Sequence, residues 1–231
     1  MKKLFLVLGL VGSLVSGAFA VDSNSCHNYS NQKCYYNPSV AVKYAKDNFE
    51  INKRVNYFKV FEDYGGDCTN FVNQAILAGF VGSSTVSTVY SKFAYYQIDV
   101  GAHYQWYYSH NNDPSHAWKG ANAFLQYVIN NSNQNFNGLH LDEITKDSKD
   151  KSLEFGKIRL GDVIFADWKG NGTVDHTMIV TTEGSSYSTL RVTYRNATDY
   201  SPQKNIALST INKINTIFHV YRPILYNEGG W

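Results

Sequence analysis

The sequence predicts an α+β fold in which N-terminal helices pack on a C-terminal antiparallel β-sheet, and two observations carry this prediction. Up to about residue 130 the apolar residues recur at helical spacing. From Leu160 onward, short runs rich in β-branched and aromatic residues alternate with turn signals. Helices first and antiparallel strands second is the arrangement of an α+β domain. Of the 231 residues, 43% are hydrophobic and 17% charged, which excludes a disordered or coiled-coil chain.

The N-terminal segment has the pattern of a secretory signal peptide over residues 1–20. Lys2-Lys3 precedes an apolar run that ends in the small-residue site Ala18-Phe19-Ala20, and cleavage is expected after Ala20. The run is shorter than the ~20 apolar residues that a membrane span needs, and no other run approaches that length. We therefore expect an exported chain, periplasmic or extracellular, without an integral membrane segment.

Cleavage leaves residues 21–35 as an N-terminal extension and 36–231 as one domain, because no repeat or linker divides it. The whole chain has 21 Lys and Arg against 19 Asp and Glu, and the signal peptide removes two lysines, so the mature chain has no net charge. A nucleic-acid or anionic-membrane partner would require a basic surplus. The charge therefore argues against both partners, whereas the oligomeric state is left open.

Three helices are predicted in the first part of the chain. The first covers 39–49, where apolar residues recur at helical spacing. The second runs from about Cys68 to Ala78, between the N-cap residue Asp67 and the terminating Gly79. The third covers 118–129 and takes Ser115 as its cap. The stretches between them lack a sustained period, so loops are expected over 81–115 and 130–137, and a solvated charged face over 146–151.

Four strands are predicted in the second part, each a short run of β-branched and aromatic residues: Asp162–Asp167, His176–Thr182, Leu190–Tyr194 and Ile217–Tyr221. The turn residues Lys169-Gly170-Asn171-Gly172 join the first two as a hairpin. The same segment has the spacing of a calcium loop, but Lys169 and Met178 occupy positions that need oxygen ligands. The dispersed cysteines offer no zinc site either. We expect no metal and no cofactor.

Cysteine usage singles out Cys68. Cys26 and Cys34 are close enough in sequence to form a disulfide after export, which would be structural or regulatory. Cys68 is then the unpaired cysteine of the three. A lone cysteine is often only a small buried hydrophobe. Cys68, however, stands where a helix begins after two glycines, and a helix N-terminus favours a thiolate and an oxyanion.

A base for this thiol is best supplied by His176, which opens a predicted strand of the sheet, and His219 in the last strand is the reserve candidate. The other histidines fall in polar stretches and are expected to be exposed: His27, His103, His110, His116 and His140. A third group should hold the imidazole tautomer. Asn196 follows the next predicted strand and offers an amide oxygen; Asp199 is the alternative, and Asn196 as a simple turn residue stays open.

Four segments in order resemble the bacterial putative amidase domain family of the papain-like cysteine hydrolases. They are YNPSVAVKYAKDN from Tyr36, YGGDCTNFVNQAILAG from Tyr64, HAWKGANAFLQYV from His116 and LGDVIFADWKGNGTVDHTMIV from Leu160. The resemblance implies a papain-like fold with Cys68 as nucleophile and His176 as general base. In the third position this sequence departs from the family, which often has a histidine where Asn196 stands.

The resemblance further implies a cysteine hydrolase that cleaves an amide or peptide bond through an acyl-thioester, in a cell-envelope peptide or peptidoglycan, and the signal peptide implies that it is exported. Two alternatives accompany this hypothesis. The same chemistry would make the protein a thiol acyltransferase if an amine rather than water accepted the acyl group. A catalytically silent envelope-binding module of the same fold would keep Cys68 as an ordinary buried thiol.

Overall fold

The computed structural model describes residues 36–50, 53–54, 56–61, 67–92, 106, 108, 114–134, 139–148, 152–195, 202–212 and 214–224. Over these residues five helices precede six strands, which confirms the α+β class. The helices are α1 (Pro38–Asp47), α2 (Cys68–Val81), α3 (Val86–Lys92), α4 (His116–Lys119) and α5 (Ala121–Gln134). The strands are β1 (Leu141–Lys146), β2 (Val163–Asp167), β3 (His176–Thr182), β4 (Arg191–Arg195), β5 (Pro202–Ala207) and β6 (Ile217–Pro223).

The predicted signal peptide, the N-terminal extension and the Cys26 and Cys34 pair lie outside the described residues. Within the described ranges, none of the helices is both long and apolar enough to cross a membrane. The predicted third helix is divided at Gly120 into α4 and α5, and Ser115 precedes α4 without a side-chain capping bond.

The strands form one six-stranded sheet in the order β1-β6-β2-β3-β4-β5, in which every neighbouring pair is antiparallel. All four predicted strands are confirmed, with bounds shifted by at most two residues. The predicted hairpin is confirmed as well, because β2 pairs with β3 and Ala166 lies opposite His176. The prediction missed β1 and β5, which lie at the two edges of the sheet and carry the polar sequences LDEITK and PQKNIA.

The sheet separates two hydrophobic cores, and β2 contributes alternate residues to each. Val163 and Phe165 belong to the core beneath the helices, whereas Ile164 and Ala166 belong to the core on the opposite face. Every residue of β2 is therefore buried. This explains why the sequence of β2 reads as a continuous apolar run rather than an alternating one.

The central helix α2 is buried along its whole length of 14 residues. The predicted end at Gly79 is wrong, since α2 continues to Val81 and Gly82 takes the left-handed conformation at φ 74°. Gly79 has a different role, because a Cβ at this position would lie 2.4 Å from Cε2 of Tyr36. The glycine allows Tyr36 to pack directly against α2.

The two predicted loops and the predicted solvated face are partly wrong. The stretch 81–115 contains α3, and the Asn-rich stretch from residue 130 continues α5 to Gln134. In the charged stretch 146–151, Asp147 is buried rather than solvated. Its carboxylate accepts hydrogen bonds from the Phe218 N–H and the Tyr187 hydroxyl, so it fastens this segment to β6.

Candidate active site

Cys68 is the first residue of α2 and is a free, buried thiol. The helix is buried on all sides because it packs on α1, α4 and β3 at once. Asp67 is the N-cap residue of α2, as predicted, but its side chain makes no capping hydrogen bond to the helix. The first N–H groups of α2 thus have no side-chain cap at the position where the thiol stands.

His176 is the first residue of β3, the strand on which α2 packs. Thr177, which follows His176, donates a hydrogen bond to Thr69, which follows Cys68, so the structure brings these two predicted residues close together. The imidazole lowers the pKa of the Cys68 thiol. The ring is held by aromatic side chains, with Tyr194 in an edge-on contact at 4.7 Å and Trp168 at 5.7 Å between ring centroids. Its Nε2 is buried and has no hydrogen-bond partner among the described residues.

The surroundings of the thiol favour its ionised form. Burial raises the pKa of Cys68, but the charge and hydrogen bond of His176, the Thr177 N–H and the Thr69 hydroxyl outweigh it and lower the pKa to about 7. The ordinary pKa of a cysteine is ~8.5. Close to neutral pH, therefore, a substantial fraction of Cys68 is thiolate, the form that acts as a nucleophile.

Two threonine hydroxyls lie beside the thiol. The Thr69 Oγ1 lies 3.6 Å from the Cys68 Sγ and accepts a hydrogen bond from the Thr177 Oγ1 at 3.3 Å. Both threonine side chains are buried. Both threonines were missed in the sequence analysis, because nothing in the sequence marks them except that each follows a predicted site residue.

Asp67 directly precedes the thiol and anchors a buried charge cluster. Its carboxylate accepts hydrogen bonds from Arg54 Nη2 and Asn70 Nδ2, each at 2.6 Å, and the Nε of Arg195 lies 3.5 Å away. Arg54 and Arg195 are both almost fully buried. Sequence reasoning missed the two arginines, because a buried arginine looks like a surface arginine in a sequence.

Amide side chains extend this cluster along α2. Gln74 Nε2 donates to Asn70 Oδ1 at 3.0 Å, and Gln74 Oε1 accepts from Arg54 Nη1 at 2.9 Å and from the Tyr44 hydroxyl at 2.8 Å. Buried polar groups of this kind are stable only when they bond to one another. The network therefore fixes the start of α2, and with it Cys68, relative to α1 and Arg54.

The remaining candidates for the site are Asn196, Asp199 and His219. Asn196 and Asp199 lie outside the described residues. The reserve candidate His219 lies opposite Phe165 on β6, which β2 separates from β3. Among the histidines expected to be exposed, His116 is exposed and His140 is half-buried, and the others lie outside the described residues.

The segment with calcium-loop spacing is a closed turn. The Asp167 carboxylate accepts hydrogen bonds from the N–H groups of Lys169, Asn171 and Gly172. Burial raises the pKa of Asp167, but these bonds outweigh it and the pKa falls below its ordinary value. The part of the chain that the structure describes holds no cluster of three or more His, Cys, Asp or Glu side chains that could bind a metal ion.

Comparison with protein families shows where the chain belongs. Residues 35–221 match the family described as a putative amidase domain, and the chain belongs to this family. It is accordingly a hydrolase that acts on C–N bonds. Neither the curated proteins nor the solved structures contain a match to this chain.

Proposed function

We propose that this protein is an exported cysteine hydrolase that cleaves an amide or peptide bond, with Cys68 as nucleophile and His176 as general base. Membership of an amidase family supports amide hydrolysis. The single observation that carries the cysteine mechanism is the interaction of His176 with a buried thiol whose pKa is lowered to about 7. Perturbed titration of a thiol beside an imidazole is typical of catalytic cysteines.

The proposed reaction begins with transfer of the Cys68 proton to His176. The thiolate attacks the substrate carbonyl carbon, and the N–H groups at the start of α2 stabilise the oxyanion. Protonated His176 then donates its proton to the leaving nitrogen as the C–N bond breaks, which leaves an acyl-thioester and a free amine. Water, deprotonated by His176, attacks the thioester, releases the carboxylic acid and restores the thiol.

Asn196 is proposed as the group that orients His176, with Asp199 as the alternative. The proposal is supported by the buried Nε2 of His176, which lacks a partner among the described residues and needs an acceptor when the ring is protonated. If Asn196 has this role, Asn196→Ala lowers kcat while Asp199→Ala leaves it unchanged. The reverse result would assign the role to Asp199.

Export and a cell-envelope substrate complete the proposal. They are supported by the charged and apolar pattern of residues 1–20 and by the zero net charge expected after cleavage. We expect the full chain expressed in a bacterial host to appear outside the cytoplasm with Val21 at its N-terminus. Retention in the cytoplasm with residues 1–20 still attached would contradict export.

The function is tested by incubating the protein with peptidoglycan fragments and amide-blocked peptides and identifying products by mass spectrometry. Cys68→Ser and His176→Ala are expected to lower the rate at least ~10²-fold, because each removes a reacting group. His219→Ala is the matched control, a strand histidine that is expected to keep the rate. Activity that survives Cys68→Ser would overturn the cysteine mechanism.

The same assay separates the alternatives. An added amine that appears in the product as a new amide would identify an acyltransferase. A protein that binds envelope fragments without turnover, and whose Cys68 titrates at an ordinary pKa, would be a binding module.

A further inference from the structure

The two threonines beside Cys68 form a connection between the nucleophile helix and the strand of the base. Thr69 follows Cys68 in the first turn of α2, and Thr177 follows His176 in β3. Their hydroxyls lie 3.3 Å apart, and the Thr69 Oγ1 lies 3.6 Å from the Cys68 Sγ. Both side chains are fully buried, so bulk water does not compete for these bonds.

The single proton of each hydroxyl fixes the direction of the bonds. Thr177 Oγ1 donates to Thr69 Oγ1, so the Thr69 hydroxyl proton is left for another acceptor. The Cys68 Sγ is the neighbouring atom, and once it has lost its proton only Thr69 is able to donate in that contact. The bond therefore exists with the thiolate as acceptor and favours the ionised sulfur.

We infer that the Thr69 hydroxyl, held in place by the Thr177 hydroxyl, stabilises the Cys68 thiolate and positions it for reaction. This inference rests on the proposed role of Cys68 as nucleophile. The Thr69 hydroxyl carries no charge, so it acts on the sulfur whether or not the His176 imidazole is protonated.

Few charged or titratable groups among the described residues act on the ionisation of the Cys68 thiol. His176, at the start of β3, and the Thr177 N–H both lower the pKa of Cys68. Asp67 precedes Cys68, but its carboxylate binds Arg54 and Asn70 instead of the thiol. Burial opposes ionisation of the sulfur, and neutral donors that favour the thiolate act against it together with His176.

The test is the ionisation of Cys68, followed by thiolate absorbance at 240 nm against pH. The curve of Cys68→Ser is subtracted, which removes the signals of the tyrosines and of any other thiol. Thr69→Val keeps the shape of the side chain and removes its hydroxyl. We expect the Cys68 pKa to rise by about one unit, the equivalent of one hydrogen bond to a charged acceptor.

Thr69→Ser is the matched control, because it keeps the hydroxyl and removes the methyl group. Its Cys68 pKa is expected to equal that of the unchanged protein within ~0.3 unit. A pKa that stays unchanged in Thr69→Val would overturn the inference. So would an equal rise in both variants, since packing of the methyl group and not the hydroxyl would then be responsible.

Thr177→Val tests the positioning part. Because the Thr177 hydroxyl acts through Thr69, its removal should raise the Cys68 pKa less than Thr69→Val, and the double variant should match Thr69→Val. Additive shifts in the double variant would contradict the proposed arrangement. Thr69→Val leaves the buried Thr177 hydroxyl without its acceptor and so risks failing to fold. The double variant removes both hydroxyls, avoids this cost and then takes the place of Thr69→Val in the test.

This experiment measures ionisation and not turnover, so it fails separately from the proposed function. A hydroxyl-dependent pKa in a protein whose amide hydrolysis survives Cys68→Ser would overturn the catalytic role and keep the thiolate interaction. Loss of hydrolysis in Cys68→Ser with no effect of Thr69→Val would do the reverse.

Discussion

The Cys68 thiol gives the site its expected pH dependence. Burial raises its pKa, while His176 and the neighbouring donors lower it to about 7, so the reactive thiolate is lost as the pH falls below this value. We expect the alkylation rate of Cys68 by iodoacetamide, resolved by peptide mass spectrometry, to fall about tenfold per pH unit below pH 6. His176→Ala removes a favourable charge but not the burial, so the rate curve should move to higher pH. An unmoved curve would mean that His176 does not activate the thiol.

The Asp67 carboxylate stabilises the fold because it compensates buried positive charge. It is the carboxylate that accepts from the buried Arg54 guanidinium, and Arg195 is its second cation. Asp67→Asn keeps the volume but leaves buried positive charge uncompensated, so we expect a loss of about 3–5 kcal/mol in the free energy of unfolding, measured in urea. Asp47→Asn is the control. It breaks the exposed contact of Asp47 with Lys43 and should cost less than about 0.5 kcal/mol.

At the scale of elements, α2 is positioned by how closely its neighbours approach it. Gly79 lies in the interior of the helix and faces Tyr36, whose hydroxyl donates to the Gly161 carbonyl at 2.9 Å. In a helix interior, replacing Gly by Ala ordinarily increases the stability by about 1 kcal/mol. Here the added Cβ would overlap the Tyr36 ring, and this contact outweighs the gain.

The prediction for α2 is therefore that Gly79→Ala destabilises the protein by about 1–3 kcal/mol, as other overpacked interiors do. The reason is the 2.4 Å approach of Tyr36 Cε2 to the new Cβ. Gly156→Ala is the control, since a Cβ there meets no atom within 4 Å. Thermal unfolding of both variants checks it, and a stabilised Gly79→Ala protein would show that Tyr36 moves aside freely.

Strand β6 carries a second titrating group. Burial and the charge of Lys146 lower the pKa of His219 to about 4, against the opposing charges of Glu143 and Asp167. Below about pH 6.5 the unfolded chain binds a proton at His219, whereas the native chain does so only near pH 4, so the native state loses stability as the pH falls across this window.

We expect His219→Gln to remove about 1–2 kcal/mol of this pH dependence between pH 6.5 and 4, less than the full pKa shift implies because solvent reaches part of the ring. The free energy of unfolding in urea, measured at pH 4, 5 and 7, checks the prediction. His116→Gln is the control, because His116 is exposed. An equal pH dependence in the unchanged protein and in His219→Gln would mean that other groups cause the acid loss of stability.

At the scale of the whole molecule, one sheet joins the two cores. Phe165 packs beneath the helices and Ile164 packs on the opposite face, although they are neighbours on β2. A strand shared in this way cannot leave one core without leaving the other. Both cores should therefore unfold together.

Phe165→Ala and Ile164→Ala test this coupling from the two faces. Each truncates a fully buried side chain, and we expect losses of about 3–5 and 2–5 kcal/mol. Both variants should unfold in one transition, with the same midpoint by tryptophan fluorescence and by far-ultraviolet circular dichroism. Two separated transitions in either variant would show that the cores are independent.

The α+β class, the four inner strands and the starting points of α2 and β3 were predictable from the sequence. These features follow from local patterns: the apolar runs, the turn residues and the glycines before Cys68. The edge strands β1 and β5 escaped prediction because one or both faces are polar and their pairing partners are distant in sequence. Gly79 was misinterpreted because a glycine required by a neighbouring ring looks the same as one that ends a helix.

The sequence also singled out Cys68 and His176 as a candidate pair, since each residue stands at the start of a predicted element. The surroundings of the thiol, in contrast, depend on how the elements pack. Arg54, Asp67 and Arg195 meet across large sequence separations, and Thr69 meets Thr177 only because α2 packs on β3. Such contacts depend on the crossing of elements and on burial, which no local pattern records, and they decide which charges and hydroxyls set the chemistry of the sulfur.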